Sequence, residues 1–409
     1  MENARGGPGA GVLIWQGLAS VFDFLAVGRR TRCGRGNTTE KTSPQRTLGD
    51  TGEILGLRRE GRNSDILVGS VKSCGCEKLG SRVPELRGFM TQCGRKWERA
   101  FFFLVLVVGA ALNPGRGQSA RDPVAEKVII DTDIGDDVDD AFALALAVKS
   151  PELQILGVTT TFGDTETRAR IADRLLGEVG RPEVPVLMGK ASVTKNPMSQ
   201  RRYAEGRFAK ASHGDAVDFL LDQIRKYPGE ITLIAIGPLM NVGAAIDKDA
   251  ATFRKLKRVV LMGGSIRRGY GDLGYTAPVP PMPEWNILND VASAQKLFTV
   301  GVPLFVMPLD STQLKLDEVK RAFLFSQGTA VTDQLAVLYH LWGQETPTLF
   351  DPMAVAFAVK PELCPVQGLH IRVDEKGFTR EEPGAVNAQV CLDSNAEDFF
   401  KFYLKRVAR

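Results

Sequence analysis

Residues 127–147 read KVIIDTDIGDDVDDAFALALA, and the rest of the chain is best understood outward from them. The apolar run Val128, Ile129 and Ile130 predicts a short buried strand, and the Ala/Leu-rich stretch 141–148 predicts a helix. Between them fall Asp131, Asp133, Asp136, Asp137, Asp139 and Asp140, six carboxylates in ten positions. Such a density repels itself unless a cation or a donor-rich ligand compensates it. A strand end leading into a helix start is where open α/β sheets place ligands. Capping and the helix macrodipole account for one or two aspartates at such a junction, not for six. Hard oxygen donors without Cys or His nearby predict Ca²⁺ or Mg²⁺ rather than zinc.

Downstream of this stretch, strand-like and helix-like segments alternate, which predicts an α/β fold with an open, mostly parallel, Rossmann-like sheet and helices on both faces. Strands are expected at 153–161, 184–188, 231–236, 258–262 and 302–307, and helices at 165–179, 216–225 and 353–359. Residues 192–212 read as a polar, Arg/Lys-rich excursion too irregular for core, and residues 370–373 and 388–392 as strands of a small terminal sheet. The Gly- and Pro-rich stretch 265–283 is a long loop, a length that usually serves function. Gly263 and Gly264 match no phosphate-binding glycine motif. Histidine is scarce: His340 and His370 read as packing residues, whereas His213, at a loop-to-helix boundary, is a candidate for a pocket wall.

Upstream the chain changes character. Residues 1–89 lack periodicity, are rich in Gly, Arg, Ser and Thr, and read as a non-native or disordered extension. Residues 90–120 have the three parts of a secretory signal: Met90 with Arg95, Lys96 and Arg99, an apolar core at 100–112, and a small, polar exit at 115–120. That core is too short for a comfortable membrane span. The expectation is translation from Met90, a secreted or periplasmic product and a catalytic domain over 121–409; the alternative is a cytoplasmic tail on a signal anchor. Cys364 and Cys391 are the only cysteines beyond the signal, and their pairing stays open at this level. The formal net charge of +4 owes much to the Arg-rich front, so no nucleic-acid partner is read from it.

Asp131-Thr-Asp133-Ile-Gly135 with Asp139-Asp140-Ala141 resembles the first motif of the inosine-uridine preferring nucleoside hydrolase family. Ile236-Gly-Pro-Leu-Met-Asn241, Leu261-Met-Gly-Gly264, Glu284-Trp-Asn286 and Phe350-Asp-Pro352 resemble its later motifs, in order. The resemblance covers residue 127 to the C-terminus and implies a small-molecule nucleoside substrate, a Ca²⁺ cofactor and homodimers or homotetramers. It implies Ca²⁺ ligands at Asp133, Asp140, the Ile236 carbonyl and Asp351, with Asp133 also the general base. It further implies that Asp139, Glu284 and Asn286 grip the ribose and that Met262 lies against it. Asp164 would hold a purine base, with His213 and Trp285 also about the substrate.

Three departures stand out. The Asp loop is two residues longer, so Asp137 competes with Asp140 as a ligand. Phe350 stands where some members carry a His that protonates the leaving base, which leaves Trp285 and Trp342 as candidates for base contact. Pro278 lies near the place of an expected Asn. The competing functions are a ribosyl-binding protein of the same fold with impaired turnover; a haloacid-dehalogenase-type phosphatase, which wants Thr or Val where Gly135 stands; and an EF-hand, whose twelfth position would here be Phe142 rather than Glu.

Overall fold

A computed structural model describes residues 125–409, so the expectations for 1–89 and 90–120 lie outside the described residues. Strand β1 (Glu126–Thr132) forms from the apolar run, with Val128 to Ile130 fully buried. Its side chains alternate: Val128 and Ile130 enter one hydrophobic core and Ile129 the other, as a strand between two layers of helices requires. Helix α1 (Asp139–Val148) follows, and its apolar residues are buried all round, as expected of a helix without a solvent face.

The main sheet continues with β2 (Leu153–Thr160), β3 (Val186–Met188), β4 (Ile231–Ala235), β5 (Arg258–Met262) and β6 (Leu304–Met307). Two late strands, β7 (Gln367–Leu369) and β10 (Ala388–Val390), complete an eight-stranded order β3-β2-β1-β4-β5-β6-β10-β7. All pairs are parallel except β10 with β7. The chain moves from β1 outward through β2 to β3, then returns to lay β4 on the other side of β1. The β1–β4 boundary is thus a topological switch point, where strand ends open a crevice. Helices α2 (Thr165–Glu178), α7 (Leu309–Thr312), α8 (Glu318–Phe325), α9 (Ala330–Trp342), α10 (Pro352–Val359) and α11 (Ala396–Val407) pack on one face with α1, and α3 (Ala216–Lys226), α4 (Met240–Phe253) and α6 (Val291–Thr299) on the other. No described helix is long and apolar enough to cross a membrane.

Two expectations are corrected. The terminal strands do not form one small sheet: β10 joins the main sheet beside β6, while β8 (Ile371–Val373) pairs antiparallel with β9 (Thr379–Glu381). Each has three residues, too few for periodicity to name a partner. A disulfide between Cys364 and Cys391, with Cα atoms 5.6 Å apart, fastens the end of β10 to the chain after α10. The excursion 192–212 is also not wholly peripheral, since Gln200 and Tyr203 are buried and Tyr203 Oη donates to Gln334 Oε1 at 2.6 Å.

Candidate active site

The fold gives the six aspartates different tasks. Asp131 points inward, where its Oδ1 accepts the Thr159 hydroxyl at 2.6 Å and the Asn241 amide at 2.7 Å. Burial pushes its carboxyl up to about 7 despite those bonds. Asp136 pairs with the Arg168 guanidinium at 2.7 Å, and Asp137 Oδ1 accepts the Val138 N–H at 2.6 Å. Asp139 and Asp140, in the first turn of α1, face Asp351 at the start of α10, with one oxygen of each carboxylate within 4.8 Å of the others. Between the competing residues Asp137 and Asp140, it is therefore Asp140 that meets Asp351. Asp140 Oδ1 accepts the Thr132 hydroxyl, and Asp139 Oδ2 accepts the Asp351 N–H at 3.3 Å. Burial first, and the neighbours' negative charge second, hold all three well above the ordinary carboxylate range. A buried, all-oxygen donor set this crowded fits a hard divalent cation, which would remove the repulsion.

Asp133 lies just past β1 and outside that close triad, but lines the same cavity of about 420 Å³. Its carboxyl is pushed up to about 6, chiefly by burial, with Arg168 opposing and Asp136 adding to the rise. Gly237, after β4, makes room for it: a Cβ there would stand 2.8 Å from Asp133 Oδ1. The Ile236 carbonyl accepts the Asn286 amide at 3.3 Å, leaving a second lone pair. Met262 closes the end of β5, and its carbonyl takes the same amide at 3.1 Å. Glu284 caps the short helix α5 (Trp285–Leu288), accepting N–H groups of Asn286 at 2.9 Å, Ile287 at 3.3 Å and Gly264 at 2.9 Å. Burial nevertheless pushes it up to about 7. Trp285, Trp342, Phe350 and Tyr270 supply aromatic walls.

Two expected residues lie elsewhere. Asp164 caps α2, accepting the Thr167 N–H at 3.1 Å and pairing with Arg201 at 2.8 Å, and does not line the cavity. An Asp before a helix is a cap by default, and here the default holds. His213 likewise does not line the cavity. Its Nε2 is 2.8 Å from the buried carboxylate of Asp173, which locks the loop before α3 onto α2.

The sequence reading missed the braces of the Asp loop. Arg168, a fully buried guanidinium on α2, donates to the carbonyls of Asp133, Ile134 (3.0 Å) and Phe162 (2.8 Å) besides pairing with Asp136. From the 192–212 segment, the buried Gln200 side chain donates to the Asp137 carbonyl at 2.7 Å and the Ser199 hydroxyl to that of Asp136 at 2.8 Å. An arginine in the first turn of an amphipathic helix resembles any solvated charge until the tertiary structure buries it. Phe162, with φ +62°, holds a left-handed conformation uncommon for a bulky residue and sets its ring edge-on to Trp285, with centroids 5.9 Å apart.

The chain is similar to known proteins over most of the described residues. Residues 128–401 match the family model described as inosine-uridine preferring nucleoside hydrolase. The chain is 31% identical to uridine nucleosidase 1 of Arabidopsis thaliana, covering 62% of this chain and 80% of that protein. It is 30% identical to the pyrimidine-specific ribonucleoside hydrolase of Salmonella enteritidis, covering 69% and 99%. Among solved structures, the purine-preferring ribonucleoside hydrolase from Gardnerella vaginalis superposes with a TM-score of 0.61 at 25% identity, covering 69% of this chain and 98% of that one. With a family match over most of the chain and an acidic crevice at the sheet's switch point, this protein belongs to the inosine-uridine preferring nucleoside hydrolases, enzymes that hydrolyse N-glycosyl bonds of ribonucleosides.

Proposed function

We propose that the reaction depends on Ca²⁺, that Asp133 is its general base, and that purine nucleosides are cleaved ahead of pyrimidine ones. The observation that carries the reading is the buried convergence of Asp139, Asp140 and Asp351 at a cavity also lined by Asp133. In this reading Asp133, Asp140, Asp351 and the Ile236 carbonyl would hold the ion, which would supply Lewis acidity when bound. Asp133 takes the proton of the water that attacks C1′. Asp139 from α1 and Glu284 and Asn286 from the start of α5 bind the ribose hydroxyls and fix the ring for attack. The same carboxylates lower the energy of the oxocarbenium-like transition state, whose positive charge develops beside them.

Purine preference draws no support from Asp164, whose carboxylate is engaged by Thr167 and Arg201 and is not part of the cavity lining. It rests on the aromatic walls, since Tyr270, Phe350, Trp285 and Trp342 offer more stacking area to a bicyclic base than to a single ring. The test is release of ribose from inosine, adenosine, guanosine, uridine and cytidine, with and without a chelator, by the wild type and Asp133→Ala. The expected result is chelator-sensitive cleavage, faster for purines, with turnover down by about 10²–10⁴-fold in the variant. Full activity in chelator or in Asp133→Ala would overturn the site assignment. Faster cleavage of uridine and cytidine would overturn the purine assignment, and ribonucleoside binding without release of ribose would favour the impaired-turnover alternative.

A further inference from the structure

When an N-glycosidic bond breaks, its electron pair stays on a base nitrogen, and at neutral pH that nitrogen leaves readily only if it receives a proton. Among the described residues, the cavity lining contains no His, Lys, Arg, Cys, Ser or Thr. Apart from carboxyl groups its proton-bearing side chains are amides, two indoles and one phenol, Tyr270. Amide and indole N–H groups donate hydrogen bonds but are too weakly acidic to surrender the proton, and in the reading above the carboxyl groups are engaged with the ion, the attacking water, the ribose and the Asp loop, which leaves the phenol to serve the base.

Its setting suits that task. Tyr270 projects from the loop after β5, and its ring meets Phe350 edge-on, with centroids 5.9 Å apart and planes at 83°. Phe350 immediately precedes Asp351 of the acidic triad, so the phenol stands over the same end of the cavity as the carboxylates. Burial and the Glu284 carboxylate push the free phenol up, and the Trp285 backbone N–H, which its oxygen accepts at 3.1 Å, opposes them by steadying negative charge there; release of the proton therefore depends on a base nitrogen close enough to take it directly. Its own proton points towards Glu284 Oε1 at 3.5 Å, a bond long enough to leave it available to a ligand. The hydroxyl lies at the wall of the open cavity, from which water can re-protonate it once the base has left.

We propose that Tyr270 is the catalytic residue that protonates the departing base, an assignment that rests on the hydrolase reading above. As the C1′–N bond breaks, its electron pair remains with the base, and the phenolic proton moves to a ring nitrogen. Water adds its oxygen to C1′ and gives one proton to Asp133. That proton leaves to solvent while the Tyr270 oxygen regains one, so that water has been added across the bond and the enzyme is restored. Phe350 holds the ring and has no proton to contribute.

Tyr270→Phe keeps the ring and its packing on Phe350 and removes only the hydroxyl. The experiment compares wild type and variant on inosine and on p-nitrophenyl β-D-ribofuranoside, whose leaving group departs as a stable anion without a proton. Expected is a fall in kcat on inosine of about 10²-fold or more with KM changed only a few-fold, and little change on the p-nitrophenyl riboside. Equal losses on both substrates would assign the hydroxyl to positioning instead and overturn the proposal. Unchanged turnover of both would overturn it too. A wild-type protein that cleaves neither substrate removes the hydrolase reading itself and this assignment with it, an outcome distinct from an active wild type whose variant is unimpaired.

Discussion

Asp164 shows how one side chain can fit two roles until its neighbours are known. Its carboxylate takes the Thr167 N–H and hydroxyl and the Arg201 guanidinium, and its carboxyl lies below the ordinary range: partial burial would raise it, but these bonds outweigh that. It is a half-exposed cap, so Asp164→Ala should cost about 1 kcal/mol of stability, the usual value of a lost N-cap. The ratio of kcat/KM for inosine over uridine should stay unchanged. Thermal unfolding and initial rates check both parts, and a ratio altered by about tenfold, equivalent to about 1.4 kcal/mol of discrimination, would return Asp164 to the base site. Arg168 presents the opposite case, a charge the sequence leaves looking like surface and the fold buries beside the Asp133 carbonyl.

Helix α1 is the element on which the site turns, because its first turn carries Asp139 and Asp140 and its body has no solvent-facing apolar side. It packs against α10, which carries Asp351, so the relative placement of two apolar helices sets the spacing of the acidic triad. Tyr403 of α11 adds a bond from its hydroxyl to the Phe142 carbonyl at 3.0 Å. Alanines alternating with Leu144 and Leu146 let these helices approach closely, leaving little room for a smaller side chain to be compensated. Leu144→Ala should therefore destabilise the protein by about 2–5 kcal/mol, measured by urea unfolding with Ca²⁺ present. A loss below about 1 kcal/mol would show that the helix does not form the close-packed centre described.

For the molecule as a whole, the acidic crevice couples stability to pH, and on the proposed reading to metal as well. Without a cation, Asp133 is pushed up to about 6 and Glu284 to about 7, both chiefly by burial, and Asp139, Asp140 and Asp351 stand well above the ordinary range. These folded-state values exceed those of the unfolded chain, so the folded protein holds more protons between about pH 4 and 7. Stability is then greatest below that window and falls as pH rises through the folded values. The chelated protein should melt at a higher temperature at pH 5 than at pH 8, and Ca²⁺ should raise the melting temperature more at pH 8, where the carboxylates are ionised and free to bind it. Scanning calorimetry at both pH values checks this, and a Ca²⁺ effect equal at the two would argue against a site built from these carboxylates.

The sequence by itself determined the α/β class, the strand–Asp loop–helix unit, and the residues that reach the crevice from β1, β4, β5 and α10. These signals are local: an apolar run, an all-apolar helix and aspartates crowded into one turn carry their meaning within a few positions. Only the tertiary structure divided the six aspartates into braces and cluster, left Asp164 and His213 out of the cavity lining, brought Tyr270 into it and set Arg168 and Gln200 against the Asp loop. The reason is physical. Whether a carboxylate caps a helix, pairs with a guanidinium or meets two others depends on which donors the packed chain delivers within about 3 Å, and those donors come from segments far away in sequence. The terminal strands follow the same logic, since a three-residue strand has no pattern of its own and takes its partner from the sheet edge that is left.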